Sequence, residues 1–229
     1  PFPAMQDVYR DGGLDGLVAD AREKAALLSG LGINLNLAPV SDITENTGAY
    51  IYRRTMGASA EETAAGVRAI VEATAETPVS GCLKHFPGYG DNVNTHTGIA
   101  VDERPLESFW ENDFIPIEAG IEAGVECVLV SHNIVECMDP DNPASLSAEV
   151  HRVLREELGF TGIIMTDDLV MQAIKDYTAG ESPAVQAFQA GNDLLLSSDI
   201  ENDFNALYEA VEKGIITEEE IDQRVRRIL

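Results

Sequence analysis

Five short apolar runs, each ending abruptly in polar residues, constrain this chain more than any other feature. Run 33–40 ends at Ser41-Asp42, run 79–83 at Lys84-His85, and run 127–130 at Ser131-His132-Asn133. Run 162–165 ends at Thr166-Asp167-Asp168, and run 193–196 at Ser197-Ser198-Asp199. Each has the length and apolar character of a buried parallel strand. Helical spacing fills the intervals at 15–31, 59–74, 107–123, 147–158, 182–190, 201–213 and 217–228. Ser59-Ala60-Glu61-Glu62 supplies a cap and an acidic first turn, and Thr217-Glu218-Glu219-Glu220 a capping box. Alternation of this kind means right-handed βαβ units and a parallel sheet. Two closures remain, an open doubly wound sheet or part of an eight-stranded barrel. No GxGxxG or P-loop follows the first strand, which weighs against nucleotide binding. Polar residues at every strand end favour the barrel, with a site on its carboxyl face. Five strands do not close such a barrel. The expectation is an α/β fold of the TIM type lacking about three strands, on the N-terminal side. Residues 1–229 read as one partial barrel domain, with no linker or internal repeat.

Charge narrows the partners. The chain has 40 acidic and 15 basic residues, a formal net charge of −25. Phosphate backbones and anionic membranes need a basic surface, so neither nucleic acid nor membrane is expected as a partner. No apolar run reaches the ~18–20 residues of a membrane helix. The start of the chain lacks the basic-then-apolar pattern of a signal peptide. Cys82, Cys127 and Cys137 cannot all pair with one another, and none lies in a CxxC spacing. Two sit in apolar runs and read as buried reduced thiols, so a cytoplasmic setting is expected.

The chemistry-capable residues cluster at strand ends. Asp167 can point from a parallel strand into a central cavity, whereas Asp168 fits the cap of a helix beginning near Leu169. His96 lies on a polar loop after Asn94 and Thr95 and can exchange a proton near neutral pH. Lys84 and His85 end a strand; His85 is either open to a cavity or paired with an Asp of a neighbouring strand. His132 is either functional or a buried hydrogen-bonding residue, and His151, on a helix among charges, reads as solvated. His85, His96, His132 and Asp167 are the residues a zinc site would use. HxH and HExxH spacings are absent, so no metal and no cofactor is expected. A serine nucleophile in GxSxG is also absent.

These motifs resemble the family-3 glycoside hydrolases, and more closely their β-N-acetylglucosaminidase branch. Lys84-His85-Phe86-Pro87-Gly88-Tyr89-Gly90 is similar to the branch's Lys-His-Phe-Pro-Gly-x-Gly, and Thr95-His96 to the end of its following loop. Thr166-Asp167-Asp168-Leu169-Val170-Met171 is similar to its Ser/Thr-Asp-Asp-Leu-x-Met. The strand from Asn34 to Asp42 and the turn Arg54-Thr55-Met56-Gly57 also resemble family segments. The resemblance implies a retaining β-N-acetylglucosaminidase acting on glycosides of N-acetylglucosamine. Asp167 would be the nucleophile and His96 the acid/base. Lys84, His85 and Arg54 would bind the sugar, with Asp42 and His132 shaping the pocket. A strand-end Asp and a Glu-Gly-Gly motif, expected upstream of Pro1, are not in this chain. Asn94 stands where the family's loop carries an Asp. A carboxylate there stabilises imidazolium and orients the ring; an amide orients it without supplying charge. Two alternatives remain: a β-glucosidase of the same family, and a catalytically impaired sugar-binding chain.

Overall fold

A computed structural model describes residues 2–178 and 182–229. In chain order the first elements are α1 (Met5–Gly30), β1 (Leu35–Asn36), α2 (Ala60–Ala75), β2 (Ser80–Phe86) and β3 (Val101–Asp102). Then come α3 (Leu106–Ser108), α4 (Phe114–Glu122), β4 (Cys127–Val130), β5 (Ile134–Val135), α5 (Ala148–Arg152) and β6 (Ile163–Thr166). The chain continues with α6 (Gln172–Thr178), α7 (Ala184–Ala190), α8 (Ile200–Glu212) and α9 (Glu218–Ile228). Two compact units share them: Pro1–Asn92 with Pro105–Leu129, and Val93–Arg104 with Val130–Leu229.

In the first unit β1 pairs parallel with β2, Leu35 opposite Ser80 and Asn36 opposite Gly81. Val40 bridges Lys84 in the same sense, and β4 is the other neighbour of β2. Helices cover this sheet where small residues let backbones approach. A Cβ on Gly120 of α4 would come within 2.6 Å of Leu83 and 3.0 Å of Val67. Buried Phe86 stacks on Phe114 with centroids 5.7 Å apart, and Trp110 meets Phe114 edge-on at 4.9 Å. Burying a ring of this size stabilises the unit by about 1.5–3 kcal/mol. The expected cap on α2 is present: Ser59 Oγ accepts from Glu62 N–H, and the Glu62 carboxylate accepts from Ser59 N–H. α1 begins ten residues earlier than the expected 15, but it is broken at Gly13 (φ 58°, ψ −149°), so its second piece is the anticipated helix.

In the second unit β3 and β5 pair parallel. β6 is followed by Asp167, whose N–H donates to Val130 C=O at 3.1 Å. Met165 bridges Leu194 in parallel. Run 193–196 joins β6 without becoming a regular strand. The Asp193 carboxylate, not a carbonyl, accepts the Ile164 N–H at 2.9 Å, and the Thr166 hydroxyl accepts the Leu196 N–H at 3.0 Å. Side chains here occupy places that ladder carbonyls normally take. Leu146, Leu169, Ile174, Ala184 and Ala187 form one apolar cluster, and Phe188, Ala210 and Ile216 another. The capping box expected at Thr217 and Glu220 opens α9.

The α/β class is borne out: short parallel strands alternate with helices. Among the described residues, hydrogen bonds do not close the strands into a ring. The helices expected at 107–123 and 147–158 each contain a wider π-type turn, at Phe109–Asp113 and Val153–Glu157. Cys82 and Cys127 are buried free thiols, and Cys137 is an exposed one. His151 corrects the expectation of a solvated side chain. It is only 3% exposed, beside buried Val150 and Leu154, and its Nδ1 donates to Ser147 C=O at 2.7 Å. Glu149 and Arg152 occupy the open face, which is where the run of charges misled.

Candidate active site

In the first unit the site is built around a buried carboxylate. Asp42 lies two residues beyond the Val40–Lys84 bridge. Its Oδ2 accepts from the backbone N–H of His85 (3.2 Å) and from His85 Nδ1 (2.7 Å). Its Oδ1 accepts from the Tyr89 N–H at 2.9 Å. Arg54, at the end of the one-turn helix Tyr52–Arg54, reaches His85 Nε2 with Nη2 at 3.4 Å. A guanidinium only donates, so Nε2 accepts and the imidazole proton sits on Nδ1, towards Asp42. The pairing of His85 with a neighbouring strand's Asp is therefore present. It holds the ring at a fixed angle with Arg54 beside it. Lys84 is half-buried in β2, and its carbonyl accepts from the Ser41 N–H (2.7 Å) and hydroxyl (3.1 Å). Arg54 also borders a cavity of about 180 Å³ with Leu17, Asn36 and Val40.

Two residues of this unit were not anticipated. Tyr89, at the variable position of the Lys84–Gly90 motif, is buried and lies edge-on to His85, with centroids 5.5 Å apart. Its place in a motif between two glycines was the available signal. Asp113 is also buried, and a side chain at Gly88 (φ 140°) would collide with its carboxylate, which explains the motif's first glycine.

In the second unit Asp167 and Asp168 leave β6 with different commitments. Asp167 is half-buried, and its Oδ1 accepts from the Asp168 N–H at 2.9 Å. Asp168 Oδ1 accepts from Val170 N–H (3.2 Å) and Ser198 N–H (3.0 Å), and its Oδ2 from the Ser198 hydroxyl. Burial pushes the Asp168 carboxyl up, but these hydrogen bonds and the nearby His132 outweigh it and hold it below the usual carboxylate range. Asp168 organises the turn ahead of α6, which begins at Gln172 rather than near Leu169.

His132, two residues beyond β4, is buried with both nitrogens engaged. Nε2 donates to the Asp168 carbonyl at 3.0 Å, and Nδ1 lies 2.7 Å from Ser145 Oγ. Asn94 and His96 form a tight turn. Asn94 Oδ1 accepts from His96 N–H (3.0 Å) and from His96 Nδ1 (2.8 Å). The ring itself is exposed. Buried Thr95 anchors the loop, its carbonyl accepting from Ala173 N–H at 3.2 Å in the first turn of α6. The loop carrying His96 and the segment following Asp167-Asp168 are thus tied together within one unit.

Among the described residues, no three His, Cys, Asp or Glu side chains gather to hold a metal ion. No described helix is long and apolar enough to cross a membrane.

Comparison with known proteins places the chain in a family. The sequence profile of the glycosyl hydrolase family 3 N-terminal domain matches residues 2–229. A β-hexosaminidase of Xanthomonas campestris pv. campestris is 33% identical over 171 residues, covering 72% of this chain. That alignment covers 51% of the relative, so the chain spans about half the length of the curated relatives it matches. A family-3 β-N-acetylglucosaminidase from Paenibacillus sp. str. FPU-7 superposes with a TM-score of 0.90 at 33% identity, over 99% of this chain and 44% of that one. The β-N-acetylhexosaminidase of Beutenbergia cavernae gives 0.87 at 30% identity, over 99% and 70%. With a profile matching nearly end to end and the Lys84–Gly90 and Thr166–Met171 motifs at strand ends, the chain belongs to glycosyl hydrolase family 3, through that family's N-terminal domain.

Proposed function

We propose that this chain carries the catalytic groups of a retaining β-N-acetylglucosaminidase that removes terminal β-linked N-acetylglucosamine from cell-wall fragments or chito-oligosaccharides. One observation carries the reading. The second unit holds a carboxylate with few commitments, Asp167, and an exposed loop imidazole, His96, whose Nδ1 is oriented by Asn94. In the first step an Asp167 carboxylate oxygen attacks the anomeric carbon. The glycosidic C–O bond breaks, and the leaving oxygen takes the proton from His96 Nε2. In the second step neutral His96 takes a proton from water. The water oxygen attacks the same carbon, and the ester bond to Asp167 breaks. This is the two-step retaining route, with histidine in place of the usual second carboxylic acid. Arg54, Lys84 and His85 bind the hydroxyl and N-acetyl groups, and Asp42 and Tyr89 hold His85 in position.

A mechanism-based fluorosugar tests the assignment. It should label Asp167, found by peptide mass spectrometry, and Asp167→Asn should lose turnover by several powers of ten while remaining folded. Label on Asp168 would show the wrong carboxylate had been chosen. A second reading, a sugar-binding chain with weakened catalysis, is favoured by the amide at Asn94. It predicts binding of N-acetylglucosamine without release of nitrophenol from its β-glycoside.

A further inference from the structure

Behind the turn that carries Asp167 runs a line of buried polar side chains that no step of the proposed reaction uses. Asn192 and Ser145 are 0% exposed and His132 is 1% exposed. Gly191, in the left-handed region at φ 119°, ends α7 and turns the chain, so that Asn192 folds back over the helix. Its Nδ2 donates to Ala187 C=O in the last turn (2.7 Å) and to the distant Ser145 C=O (2.8 Å). Ser145 lies in the one-turn helix Ala144–Leu146, and all three of its polar groups are committed. Its N–H donates to Ser131 C=O just beyond β4 (2.9 Å), its C=O accepts from Asn192, and its Oγ lies 2.7 Å from His132 Nδ1. His132 Nε2 donates to Asp168 C=O at 3.0 Å. A neutral ring therefore carries its proton on Nε2, and Nδ1 accepts from the Ser145 hydroxyl.

The line ends on the residue that orients the proposed nucleophile. The Asp168 backbone gives its C=O to His132 and its N–H to Asp167 Oδ1 (2.9 Å). Any turn of Asp168 about its backbone therefore moves the donor that fixes the Asp167 carboxylate. The Asp167 N–H stays on Val130 C=O, so the side chain would move while the strand end stayed in place. Leu146 and Leu169, the sequence neighbours of Ser145 and Asp168, belong to the apolar cluster beside this line. Apolar residues could extend that cluster without desolvating an amide, a hydroxyl and an imidazole. Hydrogen bonds add what apolar contacts lack, a fixed direction for each group. We propose that Asn192, Ser145 and His132 are positioning residues that set the orientation of the Asp167 carboxylate through the Asp168 backbone. The consequence for catalysis rests on the reading of Asp167 as nucleophile; the connection itself is measurable without turnover.

Two variants interrupt the line at different points. Ser145→Ala removes the hydroxyl in its middle, and Asn192→Leu removes the donor to Ser145 C=O at nearly constant volume. In proton–nitrogen NMR spectra of each, the Asp168 amide should shift and exchange its hydrogen about tenfold faster or more. The amides of α9 should keep their parent positions. In turnover of nitrophenyl N-acetyl-β-glucosaminide, kcat should fall roughly ten- to hundredfold, the range for a reacting group displaced by up to about 1 Å. KM should stay within about twofold, because neither variant touches Arg54, Lys84 or His85. The joint variant should lose little more than Ser145→Ala alone, as expected of one connected path. An Asp168 amide unmoved in both variants, an unchanged kcat, or a loss carried equally by KM would overturn the proposal and leave the enzyme reading intact. A shifted Asp168 amide in the variants of a chain that neither turns over substrate nor takes the fluorosugar label would overturn the enzyme reading and support the connection.

Discussion

Asn94→Asp tests most directly the acid/base role proposed for His96. In the parent the amide oxygen lies 2.8 Å from His96 Nδ1 and orients the ring without charge. A carboxylate of the same shape would keep the geometry and place a negative charge against the imidazolium that would serve as acid in the proposed first step. His96 is exposed, so the dielectric of water applies. Coulomb attraction at that separation is then about 1–1.5 kcal/mol, reduced further by salt. That corresponds to roughly a five- to tenfold gain in a step limited by protonated histidine. The assay is kcat/KM over a series of β-N-acetylglucosaminides graded by leaving-group acidity. Sugar and alkyl leaving groups, which need the proton, should gain the full factor. Dinitrophenyl glycosides, which leave without it, should gain almost nothing. An equal factor across the series would refute the argument, because it would mean that Asn94 does not act through the acid or that His96 is not the acid.

Asp42→Ala would leave the His85 and Tyr89 N–H groups and His85 Nδ1 without their buried acceptor. At about 1–3 kcal/mol for each unsatisfied group, urea unfolding should show a loss of roughly 3–9 kcal/mol; a loss under about 1 kcal/mol would mean water replaces the carboxylate. Burial holds the His151 imidazole below its ordinary range, so the unfolded chain binds a proton that the folded one refuses. Stability should be fully present above about pH 6.5 and decline as pH falls below it. His151→Leu should flatten that slope in unfolding midpoints compared at pH 5 and 7.5, and an unchanged slope would place the acid sensitivity elsewhere. Chelation should leave glycosidase activity unchanged; activity lost to EDTA and restored by zinc would revive a metal-dependent route.

The strand-to-polar transitions made much of this legible. β2, β4 and β6 grow from short apolar runs that give way to polar residues, and that pattern is visible without any contact information. Helix starts with reciprocal caps at Ser59 and Thr217 were equally plain, because the cap is local in sequence. What failed to show depends on distant partners. β3 and β5 are two residues each, too short to carry a period. Run 193–196 reads as a strand, but the Asp193 carboxylate takes the place of a ladder carbonyl, and that follows from its partners Ile164, Arg155 and Arg227. His151 was misjudged because charge counts along a helix do not say which face is inward. The motif named His85 but not the tilt of its ring, which Asp42 and Arg54 set together.

The adjacent carboxylates Asp167 and Asp168 carry different hydrogen-bond commitments, and the proposed nucleophile is the one with fewer. A nucleophilic oxygen needs an uncommitted lone pair at a place the anomeric carbon can reach. Asp168 directs three hydrogen bonds onto its carboxylate, from Val170, from the Ser198 backbone and from the Ser198 hydroxyl. Drawing its electrons into a new C–O bond would break that set and loosen the turn after β6. Asp167, whose carboxylate accepts one hydrogen bond among the described residues, carries no such obligation. Its backbone N–H is meanwhile fixed on Val130, so the main chain is held while the side chain remains able to react. Asp168 also binds His132 through its carbonyl, which couples the end of β4 to the same turn. Loss of the Asp168 side chain should therefore impair catalysis by misplacing Asp167 and His132 rather than by removing a reacting group. Asp168→Asn, which keeps an acceptor for the Ser198 hydroxyl, should accordingly retain far more activity than Asp167→Asn.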